Sequence, residues 1–200
     1  LYKFVIVKLG TEQLGLWSVI LASTSVARLS DLGITGSVVK FVARYLARNE
    51  AENASSVIQT AVITIAVTMA LVCLAVYPFL DKILTFAIPS DSMGLELIVL
   101  PWAVLTLWLA GIGGVFQSAL DGCHRMDIKN AILVFANIVF LAAAFWVIPA
   151  YGLKGLAIGQ ATQAVVVLIL TWYFLRKQIR MPVIPRAWST AKFKEMFSYS

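Results

Sequence analysis

The sequence predicts an all-α protein, a polytopic bundle of transmembrane helices. Three observations carry that expectation. Of 200 residues, 60% are hydrophobic and only 13% charged, about half the charge of an average soluble domain. The mean hydropathy is +0.89. The charges also fall in clusters, leaving long uncharged runs between them. A water-soluble enzyme is excluded because there is too little charge to cover its surface. Disorder is excluded because it needs low hydrophobicity and high net charge.

The runs define the elements in order. Leu1–Leu9 is apolar but too short to cross ~30 Å of hydrocarbon as a helix at ~1.5 Å per residue. It lacks the basic start and small-residue cleavage site of a signal peptide, and both chain ends are expected to be cuts through a longer protein. A Gly-bracketed turn, Leu9 to Gly15, leads to a crossing from Leu14 to about Leu46 that Arg28, Asp31, Gly33 and Gly36 interrupt. There follow 28 uncharged residues between Glu52 and Asp81, 24 between Glu96 and Asp121, 24 between Lys129 and Lys154, and 21 from Gly155 to Leu175. Each clears the ~20 residues of a transmembrane helix. Each must be helical, since lipid cannot satisfy an open backbone; barrel strands would be about ten residues long and alternating. One partial and five complete crossings result.

Asp81–Glu96, with Pro89, Ser90, Asp91 and Ser92, reads as a loop, and Tyr151–Gly155 as a tight turn. Past Leu175 the chain turns basic, and Pro182 and Pro185 impose extended backbone. Trp188, Phe193, Met196 and Phe197, interleaved with Lys192 and Lys194, predict a short amphipathic helix at the membrane interface. The organisation is a transmembrane unit over 1–175 and a basic segment over 176–200.

The net charge of +6 comes from 16 Lys+Arg against 10 Asp+Glu, and its placement decides its meaning. Eleven basic residues (Lys40, Arg44, Arg48, Arg125, Lys129, Arg176, Lys177, Arg180, Arg186, Lys192 and Lys194) fall on one side of the predicted crossings. Three (Lys8, Lys82 and Lys154) fall on the other. Under the positive-inside rule the first side is cytoplasmic. Orientation and contact with anionic membrane lipids account for the basic loops, without nucleic acid as a partner.

Arg28 and Asp31 are the residues that orientation leaves unexplained. Three apart, they share a helix face, and either alone in lipid costs roughly 2.5–3.5 kcal/mol on insertion. They line a hydrated cavity that meets a charged substrate, or form an ion pair that fixes packing. Lys3 is a weaker candidate for the same cavity. Gly33 and Gly36, and likewise Gly111, Gly113 and Gly114, are candidate hinges. For Gly155 and Gly159 close helix packing is the favoured reading. Thr60, Thr64 and Thr68 make one stripe, Asn130 and Asn137 share a face, and Gln160 and Gln163 share another. These polar faces suit a cavity for a many-hydroxyl ligand, or act as interhelical glue at about 0.6 kcal/mol each.

Cys73 and Cys123 lie in different environments and read as inert thiols, and His124 as a solvated loop residue. Two cysteines and one histidine make no four-ligand metal site, and no nucleophile–base pair or phosphate loop is visible. No metal, cofactor or enzymatic chemistry is expected.

Several ordered strings carry a resemblance: Leu9–Trp17 (LGTEQLGLW), Asp31–Ala47 (DLGITGSVVKFVARYLA), Ala119–Asn130 (ALDGCHRMDIKN) and Tyr151–Gly159 (YGLKGLAIG). In order and spacing the chain resembles the polysaccharide flippases, the O-antigen-type lipid-linked oligosaccharide translocases of the multidrug/oligosaccharidyl-lipid/polysaccharide exporter superfamily. The resemblance implies the N-terminal six-helix lobe of a two-lobe transporter in a bacterial or archaeal inner membrane. The lobe would run from a partial helix 1 to helix 6, with 176–200 as a cytoplasmic linker toward a seventh helix. It implies alternating access that flips polyprenyl-diphosphate-linked repeat units from the cytoplasmic to the outer leaflet. The candidate coupling ions are H+ and Na+, and polysaccharide assembly proteins are candidate partners. Arg28, and more weakly Lys3, would meet the substrate's phosphates; Asp31, Asn137, Gln160 and Gln163 complete the expected lining. The rivals are a multidrug exporter of the same superfamily, which would favour acidic cavity residues, and a non-transporting membrane scaffold, which would need no charged cavity.

Overall fold

The computed structural model describes residues 10, 15, 18, 33–87, 93–179, 181, 182, 185 and 187–198, with side chains described over 33–75 and from 99 onward. Among the described residues five helices can be bounded and no strand occurs. They are α1 (Ile34–Ala47), α2 (Ala51–Ala87), α3 (Met93–Gly122), α4 (Met126–Gln178) and α5 (Thr190–Phe197). By length and composition α2, α3 and α4 can each cross a membrane. The Leu1–Leu9 remnant, the Leu9–Gly15 turn and the first part of the Leu14–Leu46 crossing lie outside the described residues, apart from isolated positions.

α4 is two crossings in one run. Its 53 residues would extend about 80 Å if straight at ~1.5 Å per residue, far beyond a ~30 Å core. Gly152, at φ 56° and ψ −132°, breaks it into arms 126–151 and 153–178. Three contacts show the arms antiparallel. Gln163 Nε2 donates to Asn137 Oδ1 at 2.8 Å. Phe140 lies 3.4 Å from where a Cβ of Gly159 would sit. A Cβ at Gly155 would fall 2.7 Å from the Val147 carbonyl oxygen. All three pairs centre near residue 150, so the tight turn expected at 151–155 is the hairpin tip. The Gly155/Gly159 spacing serves close arm packing, as small residues do between membrane helices.

The interhelix turns at the opposite end share one device. Asn49 (φ 59°) and His124 (φ 56°) are left-handed residues just past α1 and α3. After α1, the Glu50 N–H returns to the Tyr45 carbonyl at 2.9 Å; after α3, the Arg125 N–H returns to the Leu120 carbonyl at 3.0 Å. These six-to-one bonds satisfy carbonyls that a helix end would otherwise leave open. α3 and α4 are also clasped by Lys129 Nζ to Asp121 Oδ2 at 2.6 Å.

Burial follows two clusters. The larger joins Val38, Phe41 and Val42 of α1, Val57, Ile58 and Ile65 of α2, Val115 and Leu120 of α3, and Ile132 and Leu175 of α4, with Met196 of α5. The smaller joins Val99 and Ala103 to Ala144, Ile148, Leu153, Leu156 and Ala157 beside the Gly152 tip. Facing outward, Val134, Ile138, Phe145 and Trp146 of the first arm are exposed, Trp146 at 85%. An apolar outer face on a membrane-length helix is suited to lipid.

Both limits of the loop expected over Asp81–Glu96 differ, and α3 already begins at Met93. The loop predicted from Asp81 begins later, because α2 runs through Asp81 and Lys82 to Ala87. Ile83, Leu84, Phe86 and Ala87 continue a helical composition, and the first turn-forming cluster after them starts at Pro89.

Candidate functional site

Most of the basic residues among those described gather at one end of the bundle. The ends of α1 and α3 and the starts of α2 and α4 lie at the Asn49/His124 turns, and the second arm of α4 returns there through Leu175 and Ile179, both in the larger cluster. Lys40, Arg44, Arg48, Arg125, Lys129, Arg176 and Lys177 therefore share that end, while Lys154 sits beside the Gly152 tip. Arg176 stacks 4.9 Å from the Trp172 ring centroid and Lys177 4.6 Å from that of Tyr173. Such cation–aromatic pairs suit a membrane–water boundary.

The segment 187–198 runs from this end along α1 and α2, as far as Ser37 of α1 and Thr64 of α2. Its N-terminal part lies on the threonine stripe. Gln59 Oε1 accepts from the Ala187 N–H at 3.3 Å, Thr60 Oγ1 from the Ser189 N–H at 3.3 Å, and Thr64 Oγ1 from Trp188 Nε1 at 3.3 Å. The hydroxyls of Thr60 and Thr64 donate back to the Ser56 and Thr60 carbonyls of α2 at 2.8 and 2.7 Å, which aims their lone pairs outward. Ser189 caps α5 by accepting from the Lys192 N–H, the usual role of a serine at a helix start. The predicted amphipathic helix is thus present. Its Met196 is buried in the larger cluster, and the Met196 carbonyl accepts from buried Ser37 Oγ at 3.1 Å.

A polar clasp holds the other side of α5. Tyr45, buried in α1, donates its phenol to Glu195 Oε2 at 2.8 Å and accepts from Lys192 Nζ at 2.6 Å. Lys192 also lies 3.8 Å from Glu195, and Arg44 reaches the other Glu195 oxygen at 3.3 Å. Hydrogen bonds to charged groups are the stronger kind. Neither Tyr45, Glu195 nor Gln59 stood out in the sequence; the one signal was the amphipathic pattern of 188–197, which needed a surface to bury Met196.

Between α2 and this segment runs an open groove of about 270 Å³ lined by Ile63, Thr64, Val67, Thr68, Trp188 and Phe193. Trp188 is 49% exposed and Phe197 58%. The Trp188 and Phe193 centroids are 5.9 Å apart, and the Phe193 and Phe197 centroids also 5.9 Å.

Of the residues singled out in the sequence, Arg28, Asp31 and Lys3 lie outside the described residues. Asn137 and Gln163 meet each other across the α4 hairpin, and Gln160 is half-buried on the second arm. Gly33 takes a left-handed φ of 70° immediately before α1, while Gly36 lies within α1. Gly111, Gly113 and Gly114 lie in uninterrupted helix in α3. At Gly111 a Cβ would meet Ile65 at 3.4 Å, so α2 packs closely there; at Gly114 nothing lies within 4 Å. Burial pushes the Cys123 thiol up to about 11, against a smaller lowering pull from Arg125. His124 is exposed in its turn. Among the described residues no group of three His, Cys, Asp or Glu could hold a metal ion.

Membrane-length apolar helices, a one-sided basic end and a segment packed along α1 and α2 define a multi-pass membrane protein. The family model described as polysaccharide biosynthesis protein matches residues 5–200, and the chain belongs to that family. No curated protein and no solved structure matches the chain.

Proposed function

We propose that this chain is part of a flippase that carries lipid-linked oligosaccharide repeat units, joined to a polyprenyl diphosphate, from the cytoplasmic to the outer leaflet by alternating access. The observation that carries the reading is membership of the polysaccharide biosynthesis family over 5–200, in a chain most of whose described basic residues collect at one end. On this reading the chain forms the first six-helix lobe of a two-lobe transporter and catalyses no covalent chemistry. The membrane is the inner membrane of a bacterium or archaeon, with the Asn49 and His124 turns in the cytoplasm. There the basic end meets anionic lipid and the approaching diphosphate.

Within that reading, Arg28 contacts the diphosphate, with Lys3 as an accessory cation and Asp31 in the same cavity lining. Asn137, Gln160 and Gln163 offer amides to sugar hydroxyls, and Gly33, Gly36, Gly111, Gly113 and Gly114 supply the bending that alternating access needs. The test is surface polysaccharide in cells that carry Arg28→Ala in the full-length protein at normal expression. Loss of surface polysaccharide is expected, with Arg28→Lys retaining part of it. Normal polysaccharide with Arg28→Ala would remove the phosphate-contact role.

A further inference from the structure

The groove between α2 and the 187–198 segment is mostly apolar, through Ile63, Val67, Trp188 and Phe193, but unlike the lipid-facing surface of the first α4 arm it also carries Thr64 and Thr68. That arm shows Val134, Ile138, Phe145 and Trp146 outward. The groove instead puts two threonines beside the exposed Trp188 ring and the half-buried Phe193 ring. Trp188 is not a loose interfacial ring. Its indole N–H is tied to Thr64 Oγ1, and the Phe193 ring lies beside it, tilted by 37° at a centroid distance of 5.9 Å. Phe197 continues the row, its plane 23° from that of Phe193. A fixed aromatic face bordered by hydroxyls is complementary to a sugar ring. Such a ring has weakly polarised C–H groups for the negative π face and hydroxyls at its edge for hydrogen bonds. At about 270 Å³ the groove is below the ~300–1,000 Å³ of sites that enclose a drug-sized ligand, so it takes one ring of a chain and leaves the rest outside.

We infer that this groove, about 18–26 Å along α2 from the cytoplasmic turn at ~1.5 Å per residue, is a sugar-binding subsite inside the bundle and reached from the cytoplasmic side, with Trp188 as the stacking platform, Phe193 as its support, and the Thr64 and Thr68 hydroxyls as polar contacts. The assignment rests on the flippase reading for its ligand, an oligosaccharide presented from the cytoplasmic leaflet. It adds that the glycan is met by the segment 187–198 and not only by a central cavity. Because α1 and α2 hold that segment through Tyr45, Gln59 and Thr60, a ring bound on Trp188 is held against the helical bundle.

The test uses full-length protein in nanodiscs, with maltotriose, cellotriose and chitotriose as probes of tryptophan fluorescence. The expected result is a saturable change with at least one probe. Trp188→Ala should weaken that binding about tenfold or more, as loss of a central aromatic contact does; Trp188→Phe should keep most of it, and Trp146→Ala should leave it unchanged. Absence of a saturable change with all three probes would overturn the subsite, as would equal binding by Trp188→Ala. Strong quenching of Trp188 by brominated acyl chains would also overturn it, by placing that face in lipid. Wild-type translocation of a labelled lipid-linked oligosaccharide separates the two ideas. If translocation persists while sugar binding fails, the subsite alone is wrong; if the wild type does not translocate, the flippase reading fails as well.

Discussion

Replacing Gly122 with alanine adds one methyl group where α3 meets α1, and its cost can be worked from the surroundings. The new Cβ would lie 2.8 Å from the Val39 carbonyl oxygen, 2.9 Å from Val42 Cβ and 3.0 Å from Val42 Cγ1. Carbon atoms pack at about 3.5–4.0 Å, so the overlap is about 0.5–1 Å. Backbone oxygen and a Cβ cannot rotate away, so α1 and α3 must separate, loosening Val38, Phe41, Val42, Val115 and Leu120 in the larger cluster. Overpacking of this kind costs about 1–3 kcal/mol. Gly114→Ala is the matched control: nothing lies within 4 Å of its Cβ, so only helix propensity acts, a gain of up to about 1 kcal/mol. The assay is reversible unfolding of the full-length protein in mixed micelles by titration with SDS. Opposite signs for the two alanines are expected. If Gly122→Ala is as stable as wild type, or Gly114→Ala loses as much as Gly122→Ala, the close approach of α1 and α3 is wrong.

Four further outcomes follow from other parts of the structure. Tyr45→Phe removes a phenol bonded to both Glu195 and Lys192 and should loosen α5 by about 1–3 kcal/mol, seen as faster alkylation of a cysteine placed at buried Met196; an unchanged rate contradicts the clasp. His124→Gly relieves a left-handed φ of 56° and should stabilise the protein by about 0.5–1 kcal/mol, measured by the same SDS titration, whereas a loss would speak against the turn. Asp121→Asn weakens the 2.6 Å pair with Lys129 and should cost about 1–3 kcal/mol, most of it absent in the double variant with Lys129→Met; full additivity in that cycle would show no coupling. Burial raises the Cys123 pKa from 9.0 to about 11, so maleimide labelling should keep climbing between pH 9 and 11, and a plateau near 9 contradicts it. The sign for stability is the same: the unfolded thiol loses its proton first, so this contribution is intact below pH 9 and declines as pH rises toward 11.

The crossings were legible because charge is excluded from lipid-spanning helix, and the gaps between charged residues measure the spans. The α4 hairpin shows how far that goes. Its hydrogen-bonded pattern is nearly unbroken for 53 residues, yet Gly152, Lys154 and Gly155 already mark the reversal. The limit of α2 was less legible, since Asp81 and Lys82 read as the start of a loop while the residues after them still favour helix. The seating of 187–198 was hidden for a different reason. Its bonds to Gln59, Thr60 and Thr64 span 124–129 residues of sequence, and periodicity reports only which face of a helix is apolar. The threonine stripe was visible, but a stripe does not say whether a ligand or another part of the chain meets it. In the described residues it meets both a backbone segment, at Thr60, and an open groove, at Thr64 and Thr68.

Transport of a lipid-linked sugar toward the outer leaflet can be measured in proteoliposomes. Full-length protein would be reconstituted with a fluorescent oligosaccharide joined to polyprenyl diphosphate in both leaflets, and a membrane-impermeant quencher added outside. A flippase makes the protected inner pool accessible, so fluorescence should fall past the half-quenched level of protein-free liposomes, and Arg28→Ala should slow that fall. Retention of the half-quenched level by the wild-type protein, in vesicles shown to be sealed, would contradict the account.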